Sequence, residues 1–409
     1  MGDALRNEVF TFNQNGCSRS PEYADSSTRK ITKMGLASCG TTLLPIGSIV
    51  LSVRAPIGSL GVSVIPLCTN QGCKGLVPRH ETSSHFFAYF LQVANPELNN
   101  RGRGSTFLEI SGDELSRFEV CYPSYTEQRT IAAFLDHETA RIDQLIAKQQ
   151  RLIELLKEKR QVLISHAVTK GLNPNAPMKG SGVEWLGEVP EHWKVTRAKL
   201  ASEIFVPQRN KPELNESGEG FHWTTMEDMK GDVINTTKRY VSQVAAEIAG
   251  SKILKKGAVV ASCVGNFGVA SVLNIDAVIN QQLQAYIPNT ISGPYLRDVI
   301  TCSKVYFELV GTAATLVYVN QEGFGNLPVP LPPEDEQREI ECHVKQAKTK
   351  FDLAMEKAQS QVRLLQERRI ALISAAVTGK IDVRNWTPDS QPPEQDELMA
   401  AEPTAEYRV

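Results

Sequence analysis

The stretch "LISHAVTKG" runs from Leu163 to Gly171, and "LISAAVTGK" runs from Leu372 to Lys380. Six of their first seven letters agree, at an offset of 209 positions. The agreement extends upstream without a gap. "EQRTIAAFL" (127–135) meets "EQREIECHV" (336–344), and "LLKEKRQVLISHAVT" (155–169) meets "LLQERRIALISAAVT" (364–378). At an offset of 210 the preceding blocks align too: "LPIGSIVLSV" (44–53) with "LKKGAVVASC" (254–263), and "TNQGCKGLVP" (69–78) with "INQQLQAYIP" (279–288). A one-residue deletion between about 78 and 105 reconciles the two offsets. A period this long marks a duplicated domain-plus-helix unit, not a solenoid.

Each unit has two parts. The first carries short β-branched runs broken by glycine and proline, such as "GSIVLSV", "GVSVIPL", "GAVVASCV" and "GVASVLNI". These read as strands of a mostly β domain. "HFFAYFLQVANP" (85–96) and "PYLRDVITCS" (294–303) each read as one short helix. The second part is a long helix: residues 126–169 contain neither proline nor glycine. Apolar residues recur there at 4/3 spacing (Ile131, Leu135, Ile142, Leu145, Leu152, Leu156, Leu163). The second copy has Ile340, Val344, Phe351, Ala354, Gln361, Leu365 and Leu372 in the same places. That heptad pattern predicts a coiled-coil seam. Forty-four helical residues would make a rod of ~66 Å. Glu127 and Glu336 fall in the first turns, where negative charge suits the helix dipole, and glycine stands just past both ends.

A chain of 409 residues, 41% hydrophobic, is long enough for two or three domains of a soluble protein. The start has no basic cluster followed by an apolar core, so no secretory signal is expected. Eight scattered cysteines without a C-x-x-C pattern predict reduced thiols in a cytoplasmic protein. The net charge is −2, unevenly spread: from Thr387 onward six acids face one base, Arg408, which leaves +3 on the remainder. Residues 387–409 read as a disordered acidic tail.

Motifs for catalysis are missing from the sequence. There is no phosphate loop with Lys-Ser/Thr, no H-E-x-x-H and no G-x-S-x-G. "RGRGST" (101–106) and "GFGN" (323–326) lack the strand–helix context of a nucleotide cradle. His166 lies in the repeated helix end, but its counterpart is Ala375, so the shared letters speak for packing or docking rather than chemistry. No catalytic residue and no metal site is expected, and the weight shifts to binding.

The combination resembles the specificity subunits of type I restriction–modification systems. The matching stretches are "WLGEVPEHWKV" (185–195), "GNLPVPLPPEDEQREI" (325–340) and "RRIALISAAVTGKIDV" (368–383), with "KRQVLISHAVTKGLN" as the same exit in the first unit. The resemblance covers about residues 30–386. It implies an α+β fold: two mostly-β target recognition domains with small helices, two long antiparallel coiled-coil helices, and a pseudo-twofold internal repeat. The expected boundaries are 1–122 for the first recognition domain, 123–170 for its helix, 171–184 for a linker, 185–331 for the second recognition domain and 332–380 for its helix.

The resemblance also implies a function in DNA methylation and defence against foreign DNA. Each recognition domain reads one half of a split site on double-stranded DNA. The subunit is non-catalytic. It docks two methyltransferase subunits, and restriction subunits can join. S-adenosylmethionine, ATP and Mg belong to those partners, and none to this chain. Base edges are read by Arg, Lys, Asn and Gln, so Arg54, Arg101, Arg103, Arg209, Lys211, Lys238 and Arg239 are the DNA-binding candidates. Glu127, Gln128, Arg129, Arg160, Glu336, Gln337, Arg338 and Arg369 are the partner-docking candidates, with completion of the antiparallel helix packing as the other reading. "NQ" at 70–71 and 280–281 recurs in both units and reads as turn chemistry. The heptads alone would equally support a scaffold that pairs two proteins without touching DNA. One departure stands out: Lys211 aligns with Met1, so 184–210 has no equivalent in the first unit. An unpaired sheet edge is expected there.

Overall fold

A computed structural model describes residues 8–12, 22–24, 29–104, 108–312 and 317–387. The acidic tail from 388 onward lies outside them. The chain forms two compact units, and each long helix is shared between them. Of the described residues, one unit gathers those up to Arg151 with those of 358–387; the other spans Leu152–Lys357.

In the first unit a four-stranded sheet has the order Glu22–Ala24, Leu60–Ser63, Ile49–Ser52, Cys73–Leu76. In the second, the matching order is Val233–Ile234, Ala270–Leu273, Val259–Ser262, Leu283–Pro288, with Ser202–Phe205 added as a fifth strand. "IVLS" and "VVAS" are buried at every position, as unbroken apolar runs predict for strands covered on both faces. A three-stranded sheet accompanies each: Arg29–Thr32, Glu8–Phe12 and Leu67–Thr69, then Arg239–Val241, Phe221–Thr224 and Ala277–Ile279. The expected short helices are Ser84–Val93 and Gly293–Cys302. Their N-caps, Ser83 and Ser292, stand 209 apart, which places the one-residue deletion in the loop before them. Gly58 and Gly268 share a turn with φ of 99° and 78°, a region that disfavours a side chain. A Cβ on Gly58 would lie 2.0 Å from the Asn95 amide oxygen.

The long helices span Tyr125–Lys170 and Glu334–Val377. Gly171 and Gly379 stop them with φ of 75° and 73°, the left-handed cap expected from the sequence. Within the first unit Ile131, Leu135, Ile373 and Val377 share one core cluster. Within the second, Ile164 and Val168 share one with Ile340 and Val344. In each unit one helix rises as the other falls, so the pair is antiparallel.

The seam differs from the heptad reading. Leu145 and Leu152 are 41% and 43% exposed, while Ile153, one residue on, is 9%. The buried positions Ile142, Ile153 and Ile164 lie eleven apart. In the second helix Val362 and Ile373 are buried in place of Gln361 and Leu372. An unsupercoiled helix drifts ~20° per heptad, so the seam moves one residue along the chain.

Candidate nucleic-acid interface and docking surface

The loop Pro207–Gly220 of the second unit carries Arg209 and Lys211, both exposed. Two contacts position it. The Gln281 amide donates to the Arg209 carbonyl at 2.8 Å. Asn215 and Tyr240 exchange backbone hydrogen bonds of 2.9 and 2.8 Å. Tyr240 follows Lys238 and Arg239, which are also exposed. Four exposed cations thus lie on this loop and on the stretch that it bonds, and among the described residues none of the four forms an ion pair. Asn280, next to Gln281, accepts from the Gln282 backbone N–H at 3.2 Å, and Asn70 accepts from Gly72 at 3.0 Å. The repeated "NQ" is turn chemistry in both units, and in the second it also anchors a cation-bearing loop.

The first unit is arranged differently. Arg54 Nε bonds Glu109 at 2.9 Å, and Arg103 pairs with Glu109 through the backbone. Arg101 bonds Glu97 at 2.7 Å, lies 3.7 Å from Glu114 and stacks 4.8 Å above the Phe118 ring. Arg54 and Arg101 are thus each paired with a carboxylate at the surface, unlike the four cations of the second unit.

Several docking candidates also turn inward. Gln128 is fully buried: it accepts from Ser83 N at 2.9 Å and donates to the Pro123 carbonyl at 2.9 Å. Gln337, 3% exposed, repeats this with Ser292 N at 2.9 Å and Pro332 at 3.0 Å. Both glutamines tie a long-helix start to the N-cap of the adjacent short helix, where an orphan N–H would otherwise be buried. They cannot face a partner. Arg160 bonds Asp352 at 3.2 Å, and Arg369, 8% exposed, bonds Asp143 at 3.0 Å. Each pair maps onto the other under the 209 offset. Both arginines therefore lock helix to helix. Glu336 accepts from His192 at 2.6 Å and from the Trp193 indole at 2.8 Å. Glu127 lies instead in the field of Arg384. Arg129 and Arg338 are exposed at the helix starts, Arg129 6.0 Å over the Tyr125 ring and Arg338 beside Glu334.

One buried cluster escaped the sequence reading. Lys348 on the second long helix bonds Asp298 at 2.6 Å and Asp232 at 2.9 Å. Arg297 contacts both carboxylates. Arg297, Asp298 and Lys348 are 7%, 3% and 7% exposed. Burial pushes the Asp298 carboxyl up, against the pull of Arg297 and Lys348. Burial also raises Asp232, but Arg297 and Lys348 outweigh it and hold the group below its ordinary value. The first unit has Tyr89 and Thr139 at the positions of Asp298 and Lys348. There the Tyr89 hydroxyl meets Thr139 at 3.2 Å and donates to Asp136 at 2.8 Å. The paired divergence at two otherwise repeated positions was the available signal.

Among the described residues no group of three or more His, Cys, Asp or Glu side chains is placed to hold a metal, and seven cysteines are free. No helix among them is long and apolar enough to cross a membrane. The geometry is that of a duplicated binding protein, with cations on loops of β domains and paired helices as the frame. The chain belongs to the type I restriction–modification DNA specificity family, whose profile matches residues 6–155 and 190–360.

Curated relatives agree. A type I restriction enzyme MjaIX specificity subunit of Methanocaldococcus jannaschii is 33% identical over 138 residues, 33% of this chain and 31% of that protein. The match thus spans about a third of that relative's length. The MjaVIII specificity subunit of the same organism is 22% identical over 320 residues, 73% of this chain and 71% of the other. Two solved chains share the fold at 16% identity each. One comes from work on complex assembly and conformational transition of the type I R-M system, with a TM-score of 0.74 over 91% of this chain and 92% of that one. The other is the HsdS subunit from Thermoanaerobacter tengcongensis, at 0.53 over 88% and 92%.

Proposed function

We propose that this chain is the sequence-reading subunit of a type I restriction–modification complex in the cytoplasm. It reads a split, asymmetric site on double-stranded DNA and carries no catalysis of its own. Two methyltransferase subunits dock on it, and restriction subunits can join them. S-adenosylmethionine, ATP and Mg are held by those partners. The observation that carries the reading is the contrast between the units. Their strands, caps and glutamine ties repeat, while their cation-bearing segments do not: Arg54 and Arg103 meet at Glu109, whereas Arg209, Lys211, Lys238 and Arg239 form no ion pair among the described residues. A frame with two different faces suits a protein that reads two different half-sites. Phosphates attract the cations, and guanidinium groups pair with base edges. Arg129, Arg338 and Glu127 remain as docking residues at the helix starts.

The chain combined with its methyltransferase partner should methylate a bipartite, gapped motif in sequenced genomic DNA. An ungapped motif overturns the reading. Exchanging residues 185–331 for another recognition domain should change one half-site and leave the other. Replacing Lys238 and Arg239 by alanine should cost about 1–3 kcal/mol of specific binding if either reads a base. A loss uniform across sequences, with a shallower salt dependence, would assign them to phosphates instead.

A further inference from the structure

The turn that carries the repeated "NQ" is built the same way in both units. Asn70 Oδ1 accepts from Gly72 N at 3.0 Å, and Asn280 Oδ1 accepts from Gln282 N at 3.2 Å. Cys73 N donates to the Asn70 carbonyl at 3.1 Å, as Leu283 N does to the Asn280 carbonyl at 3.1 Å. The carbonyls of Gly72 and Gln282 accept from Val53 N at 2.9 Å and from Cys263 N at 3.0 Å. Between the "NQ" pair and the strand that follows, the first unit has Gly72 and the second has Gln282. The turn closes without a side chain in the first unit, so the side chain of Gln282 is not what folds it.

The neighbouring glutamine amides are committed elsewhere. Gln281 holds the Arg209 carbonyl, and Gln284, fully buried, donates to the Val319 carbonyl at 2.8 Å. Gln282 is exposed. Its Oε1 accepts from Asn280 Nδ2 at 3.3 Å, and among the described residues its Nε2 forms no hydrogen bond. Asn280 thus grips Gln282 at its backbone N–H and at its side-chain oxygen. The grip fixes which side of the carboxamide is oxygen and which is nitrogen. It leaves two N–H donors and one oxygen lone pair unused. The residue next in the chain, Gln281, anchors the loop that carries Arg209 and Lys211.

We propose that Gln282 is a specificity-determining residue, whose carboxamide reads one adenine in the major groove of the half-site taken by the second unit. The inference rests on DNA reading by this chain, as proposed above, and adds the residue and the base. Adenine presents the N7 acceptor beside the N6 amino donor, so Nε2 donates to N7 while Oε1 accepts from N6. The second lone pair of Oε1 lets it accept from Asn280 and from adenine together. Guanine presents two acceptors, N7 and O6, and its O6 would face the oxygen that Asn280 holds in place. Asn280 is the positioning residue, because an untethered carboxamide would lose more rotamer freedom on binding. Gly72 leaves the first unit without this reader, so the same turn serves two different half-sites.

The test uses the full chain in complex with its methyltransferase partner. Equilibrium binding is measured on duplexes in which each A·T pair of the second unit's half-site is replaced singly by G·C. The intact complex should discriminate at the position read by Gln282 by about 10–100-fold. Gln282→Gly, which the turn of the first unit already accommodates, should abolish that preference and leave the other positions within about threefold of the intact complex. Gln282→Glu cannot donate to N7 and should lose the preference too, while Gln282→Arg should move it to guanine. Asn280→Asp still accepts from Gln282 N but turns the carboxamide around, and should lower the same preference. Gln282→Gly with every preference intact overturns the proposal. A loss uniform across all duplexes assigns Gln282 to a phosphate and overturns it, and so does a half-site without an A·T pair. Failure of DNA reading itself shows separately, as an intact complex that favours no duplex over another.

Discussion

Lys348→Met should destabilise the second unit by about 3 kcal/mol, because removing one partner of a buried ion cluster leaves charge uncompensated. Lys348 and Asp298 have side chains only 8% and 4% exposed, so solvent screening offers little relief. Asp298 would keep Arg297, and Asp232 would keep it too, but one cation would then serve two carboxylates. The double variant Lys348→Met with Asp298→Leu should recover most of the loss, since Arg297 and Asp232 remain a balanced pair. Acidification gives an independent check. Burial raises the folded-state pKa of Asp298, so the folded protein binds that proton more readily than the unfolded chain. Stability from this group therefore grows as pH falls, and without Lys348 the shift is larger. The deficit of Lys348→Met should shrink as pH drops through the carboxylate range. Asp232 has the opposite slope in the intact cluster, because its pKa is lowered. Denaturant unfolding followed by exchange at second-unit amides measures both effects; a loss below about 1 kcal/mol, or one that grows with acid, rejects the account. In the first unit Thr139→Val removes only one hydroxyl from the Tyr89 network and should cost about 1 kcal/mol.

The duplicated frame was legible because it is written in local signals. β-branched runs, glycine turns and apolar periodicity do not depend on distant residues. The 209 offset even paired Arg160 with Arg369 and Asp143 with Asp352. What it did not reveal is that the pairs cross, each arginine bonding the aspartate of the other helix. That requires knowing that the helices run antiparallel and at what height. Gln128 and Gln337 sit in exposed-looking "EQR" triplets, and their burial follows from the tertiary approach of Ser83 and Ser292. The seam slipped by one residue because a period of 3.5 and one of 3.6 differ little over one heptad and by a side chain over three. Reading residues were the least legible. An arginine in the sequence looks the same whether it meets solvent on a loop, as Arg209 does, or two carboxylates and a ring at the end of the helix Asn95–Arg101, as Arg101 does.

Trp193→Ala should cost the second unit about 4 kcal/mol, among the larger losses for a single core side chain. The indole is at 0% exposure and packs in one cluster with Ile164, Ala167 and Val168 from the end of the first long helix and Ile340 and Val344 from the start of the second. Its ring also closes on Gly171, where an added Cβ would lie 3.1 Å from the Trp193 ring. One side chain thus holds two helices and the opening of the recognition domain together. Trp193→Phe separates bulk from polarity. It keeps most of the apolar volume but removes the N–H that Glu336 accepts at 2.8 Å, while His192 still faces that carboxylate at 2.6 Å. A loss of about 1–2 kcal/mol is expected, smaller than for alanine, because Glu336 is only part-buried and retains one partner. The first unit has no residue aligned with Trp193, and at the corresponding helix ends Val383 joins the cluster of Ile131, Ala376 and Val377 instead. The exchange rates of residues 131–135 should therefore stay unchanged in both variants while those of 164–168 and 340–344 rise. Equal loosening of both units would show that the tryptophan acts through the whole helix pair rather than through its own end.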